Sequence, residues 1–287
     1  MSENLNILDV PCLTNVPAAD ITTMGGTGRC KIIFLPENEK QLVFCFDFFS
    51  VNDIDFKVIG NGSNIILTKS NKVFLCTKKV KKSARCSGNT VTLPASMTVA
   101  AAYKFCQERS LSGFEKLAGV PGTIGGAIMM NASAFGDCIS DWLESVRILK
   151  GGKIQTIKKQ NIDFSYRKSS IDGLILSAKF SLQKKDKCQI HRDFLDCVAL
   201  RSQLQPKGRS SGSIFKNPPG FSAGQLIDIC GLKGTNIGGA KISEKHANFI
   251  INENNADASD IKELIKLAKN AVMEKFNVSL ECEVEFV

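Results

Sequence analysis

Histidine is nearly absent from this 287-residue chain, which has only His191 and His246, and none of its eleven cysteines forms a Cys-x-x-Cys pair. A zinc centre draws its nitrogen and sulfur ligands from closely spaced clusters of those residues, so no metal site is expected. No uninterrupted apolar run reaches the roughly 20 residues that cross a bilayer, so membrane insertion is not expected. The start of the chain carries Glu3 and Asp9 and lacks a basic stretch followed by an apolar one, which argues against a secretory leader and for the cytoplasm. In that compartment an odd number of scattered cysteines reads as reduced thiols, mostly small core residues. There is no internal repeat and no low-complexity segment.

Acidic residues are outnumbered, 28 against 37 Lys and Arg, which leaves a formal charge of +9. Lys78, Lys79, Lys81, Lys82 and Arg85 form one basic run, but no aromatic platform or recognition motif accompanies it. It reads as a solvated loop, and no nucleic-acid partner is expected. A positive field also draws in polyanionic small molecules such as nucleotides. The 43% hydrophobic content suffices for two or three small domains.

Four glycines, Gly119, Gly122, Gly125 and Gly126, fall within eight residues of Leu117-Ala118-Gly119-Val120-Pro121-Gly122-Thr123-Ile124-Gly125-Gly126-Ala127-Ile128-Met129-Met130-Asn131-Ala132. Glycine lets the backbone come very near a ligand, and the segment reads as a pyrophosphate cradle with a row of N–H groups free for phosphate oxygens. It is not a P-loop, because Ala127 and Ile128 follow the last glycine where Lys and Ser or Thr belong. Nor does Gly119 to Gly126 supply the dinucleotide-binding pattern G-x-G-x-x-G, while Gly60-Asn61-Gly62-Ser63-Asn64-Ile65 has Ile in place of the third glycine. Either loop alone also reads as a turn without a ligand; two in one chain, each after an apolar run, favour the cradle.

Lys31 to Leu35, Leu42 to Phe46 and Phe56 to Ile59 are predicted as short strands, the last running into Gly60. Thr90 to Leu93 is another, and Thr98 to Arg109 has Val99, Ala102, Tyr103 and Cys106 at helical spacing. Ser145 to Lys150 and Lys153 to Ile157 flank Gly151-Gly152, a hairpin signal, and Leu174 to Leu182 closes the region as a strand. A lysine-rich connector, Lys184 to Lys187, precedes a helix from Asp193 to Gln203. Beyond it come a helix from Ala223 to Cys230 ended by Gly231, a strand at Asn248 to Ile251, and a final helix capped by Ser259 with Ile261, Leu264, Ile265, Ala268 and Val272 on one face.

Taken in order, Gly60-Asn61-Gly62-Ser63-Asn64, Gly119 to Ala127 with Asn131-Ala132, Tyr166-Arg167, Gly212-Ser213-Ile214-Phe215-Lys216-Asn217-Pro218, Ala240 to Asn252 with Lys245-His246-Ala247-Asn248-Phe249-Ile250, and Leu280-Glu281-Cys282-Glu283-Val284 closely resemble the UDP-N-acetylenolpyruvoylglucosamine reductase family. The match runs from about Thr22 to the last residue. It implies an α+β fold: a flavin-binding region of the vanillyl-alcohol-oxidase type (PCMH-like), in two subdomains at 1–75 and 76–184, then a smaller substrate-binding α+β domain at 185–287. The implied cofactor is non-covalent FAD, with Gly60, Asn61, Gly62, Ser63, Asn64, Gly119, Pro121, Gly122, Thr123, Gly125, Gly126 and Asn131 around it. The implied reaction belongs to peptidoglycan precursor synthesis. NADPH reduces the flavin, and the reduced flavin gives hydride to the enolpyruvyl ether of the UDP-sugar, yielding UDP-N-acetylmuramate. Charge then builds in the neighbouring carboxylate as an enediolate that must be stabilised and protonated.

The resemblance gives that task to three residues. Arg167 matches the arginine that meets the growing charge, Ser213 the proton donor, and Glu283 the third catalytic position. Strand alternation puts Glu281 and Glu283 on one face, so periodicity cannot choose between them. Tyr166, Asn217, Lys233 and His246 match positions that contact the UDP-sugar; His246 reads equally as a satisfied structural histidine. A monomer is expected. The early motif is degenerate here as Thr22-Thr23-Met24-Gly25-Gly26-Thr27-Gly28, and the short gap from Tyr166 to Ser213 resembles the family's shorter type, without the extra loop over substrate. Phe135 replaces a tyrosine and Ser133 a glycine, neither expected to touch the chemistry. A flavin oxidase on the same scaffold is the rival reading.

Overall fold

Gly151 and Gly152, at φ +55° and +70°, supply the left-handed backbone that a two-residue hairpin turn demands. In the computed structural model, Leu143–Lys150 and Lys153–Lys158 accordingly pair antiparallel, with Lys150 opposite Lys153. The structure describes residues 9–68 and 72–287, so Glu3 lies outside the described residues. These residues fall into two units, one comprising residues up to Leu13, Ile32–Asn61 and Val73–Leu200, the other Thr14–Lys31, Gly62–Lys72 and Arg201–Val287.

In the first unit the hairpin is the edge of a five-stranded antiparallel sheet that continues through Leu174–Ser181, Thr90–Pro94 and Arg85–Ser87. The helix Val99–Gln107 starts where Thr98 accepts the Ala101 amide, and it buries Val99, Ala102, Tyr103 and Cys106 as their spacing predicts. These residues join Val146, Ile148 and Phe180 in one core. A second layer pairs Ile32–Phe34 and Phe56–Ile59, both in parallel, with Val73–Cys76.

The strand expected at Leu42 to Phe46 is a helix, Glu39–Val51. Its β-forming residues yield to an N-cap and to burial: Asn38 Oδ1 accepts the Gln41 amide at 3.0 Å, and Leu42, Cys45 and Phe49 lie on one covered face. Phe49 meets Phe34 edge-on with centroids 5.1 Å apart. Burying each such side chain contributes roughly 1.5–3 kcal/mol, more than the spread of intrinsic strand preference. Glu39 receives Lys82 and, at 2.7 Å, Arg147, so one lysine of the basic run is paired. The helix expected from Asp193 begins earlier, as Lys187–Leu204, because the Asp186 carboxylate accepts the amides of Cys188 and Gln189.

In the second unit the helix Ala258–Phe276 buries Ile261, Leu264, Ile265, Ala268 and Val272 as predicted, but its cap is Asp257 rather than Ser259. Asp257 accepts the Ser259 amide at 2.9 Å while Asp260 accepts the Asp257 amide, a reciprocal capping box. This helix and Ala223–Ile229, followed by Gly231 at φ +74°, cover a three-stranded sheet of Asn236–Ile237, Ala240–Ile242 and Ile250–Asn252. Glu285–Phe286 pairs in parallel with Ile65–Ile66.

Candidate active site

The two glycine loops meet in the first unit. The Asn61 side chain donates to the Pro121 carbonyl at 2.8 Å, and Gly60 packs so closely on Thr123 that a Cβ there would lie 2.3 Å from the threonine Oγ1. Thr123 is buried and caps the helix Ile124–Met129, its hydroxyl accepting the Gly126 amide at 3.3 Å. The expectation of a row of free amides needs correction. Val120 donates to Leu117, Gly122 to Val120, Ile124 to Met97 and Gly125 to Ala95, so most of the loop's N–H groups hold the loop itself. Gly119, Pro121 and Gly126 present exposed surface.

Asn131 follows at φ +41° and is 8% exposed. Its Nδ2 donates to the Ser165 carbonyl, while its Oδ1 is buried with no donor among the described residues. Gly62, Ser63 and Asn64 belong to the second unit. Gly62 accepts the Thr23 amide, a Cβ on it would lie 2.0 Å from the Ile21 carbonyl, and Asn64 Nδ2 donates to the Glu283 carbonyl at 3.1 Å. Of the degenerate early motif, Thr22 accepts the Gly25 amide and Thr23 donates to the Ser210 carbonyl.

Arg167 sits in the first unit, at the turn between Phe164–Ser165 and Lys168–Ser169, with φ +58°. That conformation costs a non-glycine residue about 1–2 kcal/mol and is kept where the surroundings impose it. The guanidinium lies 5.2 Å from the ring centroid of Tyr166, itself 50% exposed, and Nη1 donates to Ser133 Oγ at 2.8 Å. Ser133, expected to stand clear, therefore touches the arginine. Nothing in local sequence marks this contact, since the two residues are far apart in the chain.

Ser213 and Glu283 lie in the second unit and are joined through Ile214. Ser213 follows Gly212 at φ +74° and bridges Phe249; the Ile214 amide donates to the Asn248 carbonyl, and the Ile214 carbonyl accepts the Glu283 amide, both at 2.8 Å. Asn248 does the work of a strand here: its buried amide accepts from and donates to the backbone of Phe215. The alternating strand expected through Leu280 to Val284 is reduced to a single bridge, Phe215 with Cys282. Environment then separates what alternation could not. Glu281 is 73% exposed and paired with Lys216, whereas Glu283 is half-buried.

Of the remaining residues, the exposed Asn217 accepts the Ala223 amide at 3.0 Å, and Lys233 pairs with Asp228 at 2.5 Å. His246 accepts the Asn248 amide on Nδ1 at 3.2 Å and abuts Gly224, where a Cβ would lie 2.9 Å from the ring. No group of three His, Cys, Asp or Glu among the described residues suits a metal, and no described helix is long and apolar enough to cross a membrane.

Residues 205–287 match the C-terminal domain of UDP-N-acetylenolpyruvoylglucosamine reductase, and residues 30–158 match an FAD binding domain. A UDP-N-acetylenolpyruvoylglucosamine reductase of Geobacillus kaustophilus is 35% identical over 96% of this chain and 92% of its own. One from Fusobacterium nucleatum is 35% identical over 96% and 98%. The chain belongs to the UDP-N-acetylenolpyruvoylglucosamine reductase family. A crystal structure of the Thermus caldophilus enzyme of this reductase family superposes with a TM-score of 0.80 at 30% identity, covering 96% of this chain and 98% of that one. The expected α+β class with an FAD-binding region stands.

The matched FAD segment of this reductase-family chain contains both glycine loops and Asn131. A buried carbonyl oxygen without a donor suits a ligand carrying N–H or O–H groups, as FAD does, so these residues fit the group. Burial holds the His246 imidazole below its ordinary range, and the Lys233 charge adds to the effect. The unfolded chain thus binds the proton more readily, so stability that is present above about pH 6.5 is lost as pH falls through the folded value. Between pH 7 and 5, calorimetric unfolding should show the wild type losing stability relative to His246→Gln.

Proposed function

We propose that this chain reduces the enolpyruvyl ether of UDP-N-acetylglucosamine-enolpyruvate to UDP-N-acetylmuramate, with FAD as cofactor and NADPH as the reductant, in peptidoglycan precursor synthesis. The observation that carries this reading is the family match over both the FAD-binding segment and the C-terminal segment. When bound, FAD supplies the hydride that NADPH provides.

Gly60, Asn61, Pro121 and Thr123, held against one another, support the FAD diphosphate together with Gly62, Ser63, Asn64, Gly119, Gly122, Gly125 and Gly126, and Asn131 accepts from the cofactor. Addition at the terminal vinyl carbon moves negative charge into the substrate carboxylate. The planar, always-charged guanidinium of Arg167 is suited to meet it. Ser213 then delivers a proton to the carbon beside that carboxylate; a hydroxyl is a weak acid and serves only against so basic a carbon. Glu283, half-buried beside Ile214, polarises the same reaction centre. Asn217, Lys233, His246 and Tyr166 bind the UDP-sugar, with Lys233 as a point charge for phosphate. The enzyme acts as a cytoplasmic monomer, without the longer type's substrate loop.

Anaerobic mixing tests the reading. NADPH should bleach the flavin of the purified protein, and the enolpyruvyl UDP-sugar should restore its colour. Bleaching by a small alcohol with no response to NADPH would instead make the protein an oxidase.

A further inference from the structure

The turn Phe135-Gly136 has both residues at positive φ, +51° and +89°, and folds Ser133–Ala134 back on Asp137–Cys138 with Ser133 opposite Cys138. This short hairpin delivers the Ser133 hydroxyl to Arg167, whose Nη1 donates to it at 2.8 Å. A serine hydroxyl has two acceptor lone pairs, one of which receives the guanidinium N–H. A second tie, Asn131 Nδ2 to the Ser165 carbonyl, fixes the strand that enters the arginine's turn.

Arginine carries about 2 kcal/mol of rotamer entropy, so a guanidinium at a hairpin tip must be held if it is to face a reacting group. A carboxylate would hold it more tightly, yet would spend its charge on the protein. A hydroxyl fixes direction without opposing the guanidinium's charge. We propose that Ser133, fixed on its short hairpin, is a positioning residue that aims Arg167 at the carboxylate of the substrate. The proposal rests on the assignment of Arg167 above and goes beyond it, since the family resemblance places glycine at this position.

The test uses FAD-loaded protein and four variants: Ser133→Ala, Ser133→Thr, Arg167→Ala and the Ser133→Ala/Arg167→Ala double variant. Reduction by NADPH and single-turnover reoxidation by the enolpyruvyl UDP-sugar are timed separately, and the dissociation constant for UDP-N-acetylmuramate is measured calorimetrically. Ser133→Ala should slow reoxidation and weaken product binding by about tenfold each, the scale of one hydrogen bond to a charged group, with NADPH reduction within about twofold of wild type. Ser133→Thr, which keeps the hydroxyl, should recover most of both. In the Arg167→Ala background, removing the hydroxyl should change nothing further, which a loss of general packing would not reproduce. An unaltered Ser133→Ala enzyme, or an equal tenfold loss without Arg167, overturns the positioning role while a slow Arg167→Ala enzyme leaves the arginine's own role standing. An Arg167→Ala enzyme as fast as wild type overturns the role of Arg167 itself. Should Ser133→Ala load FAD poorly, Ser133→Gly is measured in its place.

Discussion

Ser213→Ala is expected to leave bleaching of the flavin by NADPH within about twofold of wild type and to slow reoxidation by the enolpyruvyl substrate by about 10²–10⁴, the range for a positioned proton donor. The backbone at this site does not depend on the hydroxyl. Gly212 supplies the positive φ, Ser213 bridges Phe249 through its main chain, and Ile214 carries the bonds to Asn248 and Glu283. Alanine satisfies all of these, so the loss should fall on chemistry rather than on folding. Stopped-flow absorbance resolves the two half-reactions. Equal slowing of both would show that Ser213 acts on the site's architecture and would withdraw it as the donor.

Gly60→Ala should yield protein that purifies with most of its flavin missing. The new methyl would sit 2.3 Å from Thr123 Oγ1, 3.0 Å from its Cγ2 and 3.2 Å from its Cβ. Thr123 has nowhere to retreat, being buried and capping the next helix, so the two glycine loops must part, at about 1–3 kcal/mol for an overpacked contact. Parting them also breaks the bond from Asn61 to Pro121. A double variant, Gly60→Ala/Thr123→Ala, removes the two nearest obstructing atoms and should regain flavin, less about 1 kcal/mol of helix stability for the lost cap. Flavin absorbance per mole of protein reads the outcome. A Gly60→Ala protein as yellow as wild type would mean that the contact of these loops is irrelevant to cofactor binding.

Elements whose cause is local were legible in the sequence. The Gly151-Gly152 hairpin, the stripe Val99, Ala102, Tyr103, Cys106 and the stripe along the last helix each announce themselves within a dozen residues. The stretch from Leu42 to Phe46 reads as a strand because Val43, Phe44 and Phe46 favour one, yet Asn38 and Glu39 carry the start signal of the helix Glu39–Val51. Asp186 sits in a lysine-rich stretch that reads as a connector, and Ser259, two residues past Asp257, reads as the cap of the last helix. At the site, adjacency of glycines was visible but the use of the loop's amides was not: those of Ile124 and Gly125 go to the carbonyls of Met97 and Ala95, in a separate segment. Ser133 beside Arg167, and the opposite fates of Glu281 and Glu283, likewise depend on contacts between distant stretches.

The last three residues have a part in biosynthesis. Glu285 donates to Asn64, Val287 to Ile66, and Thr68 back to Val287, so Asn64, Ile66 and Thr68 wait for partners made more than two hundred residues later. During synthesis the Ile65–Ile66 edge therefore stays unpaired until Glu285 and Phe286 have left the exit tunnel. Until then it is an unpaired apolar strand edge, the kind of surface that nascent-chain chaperones cover.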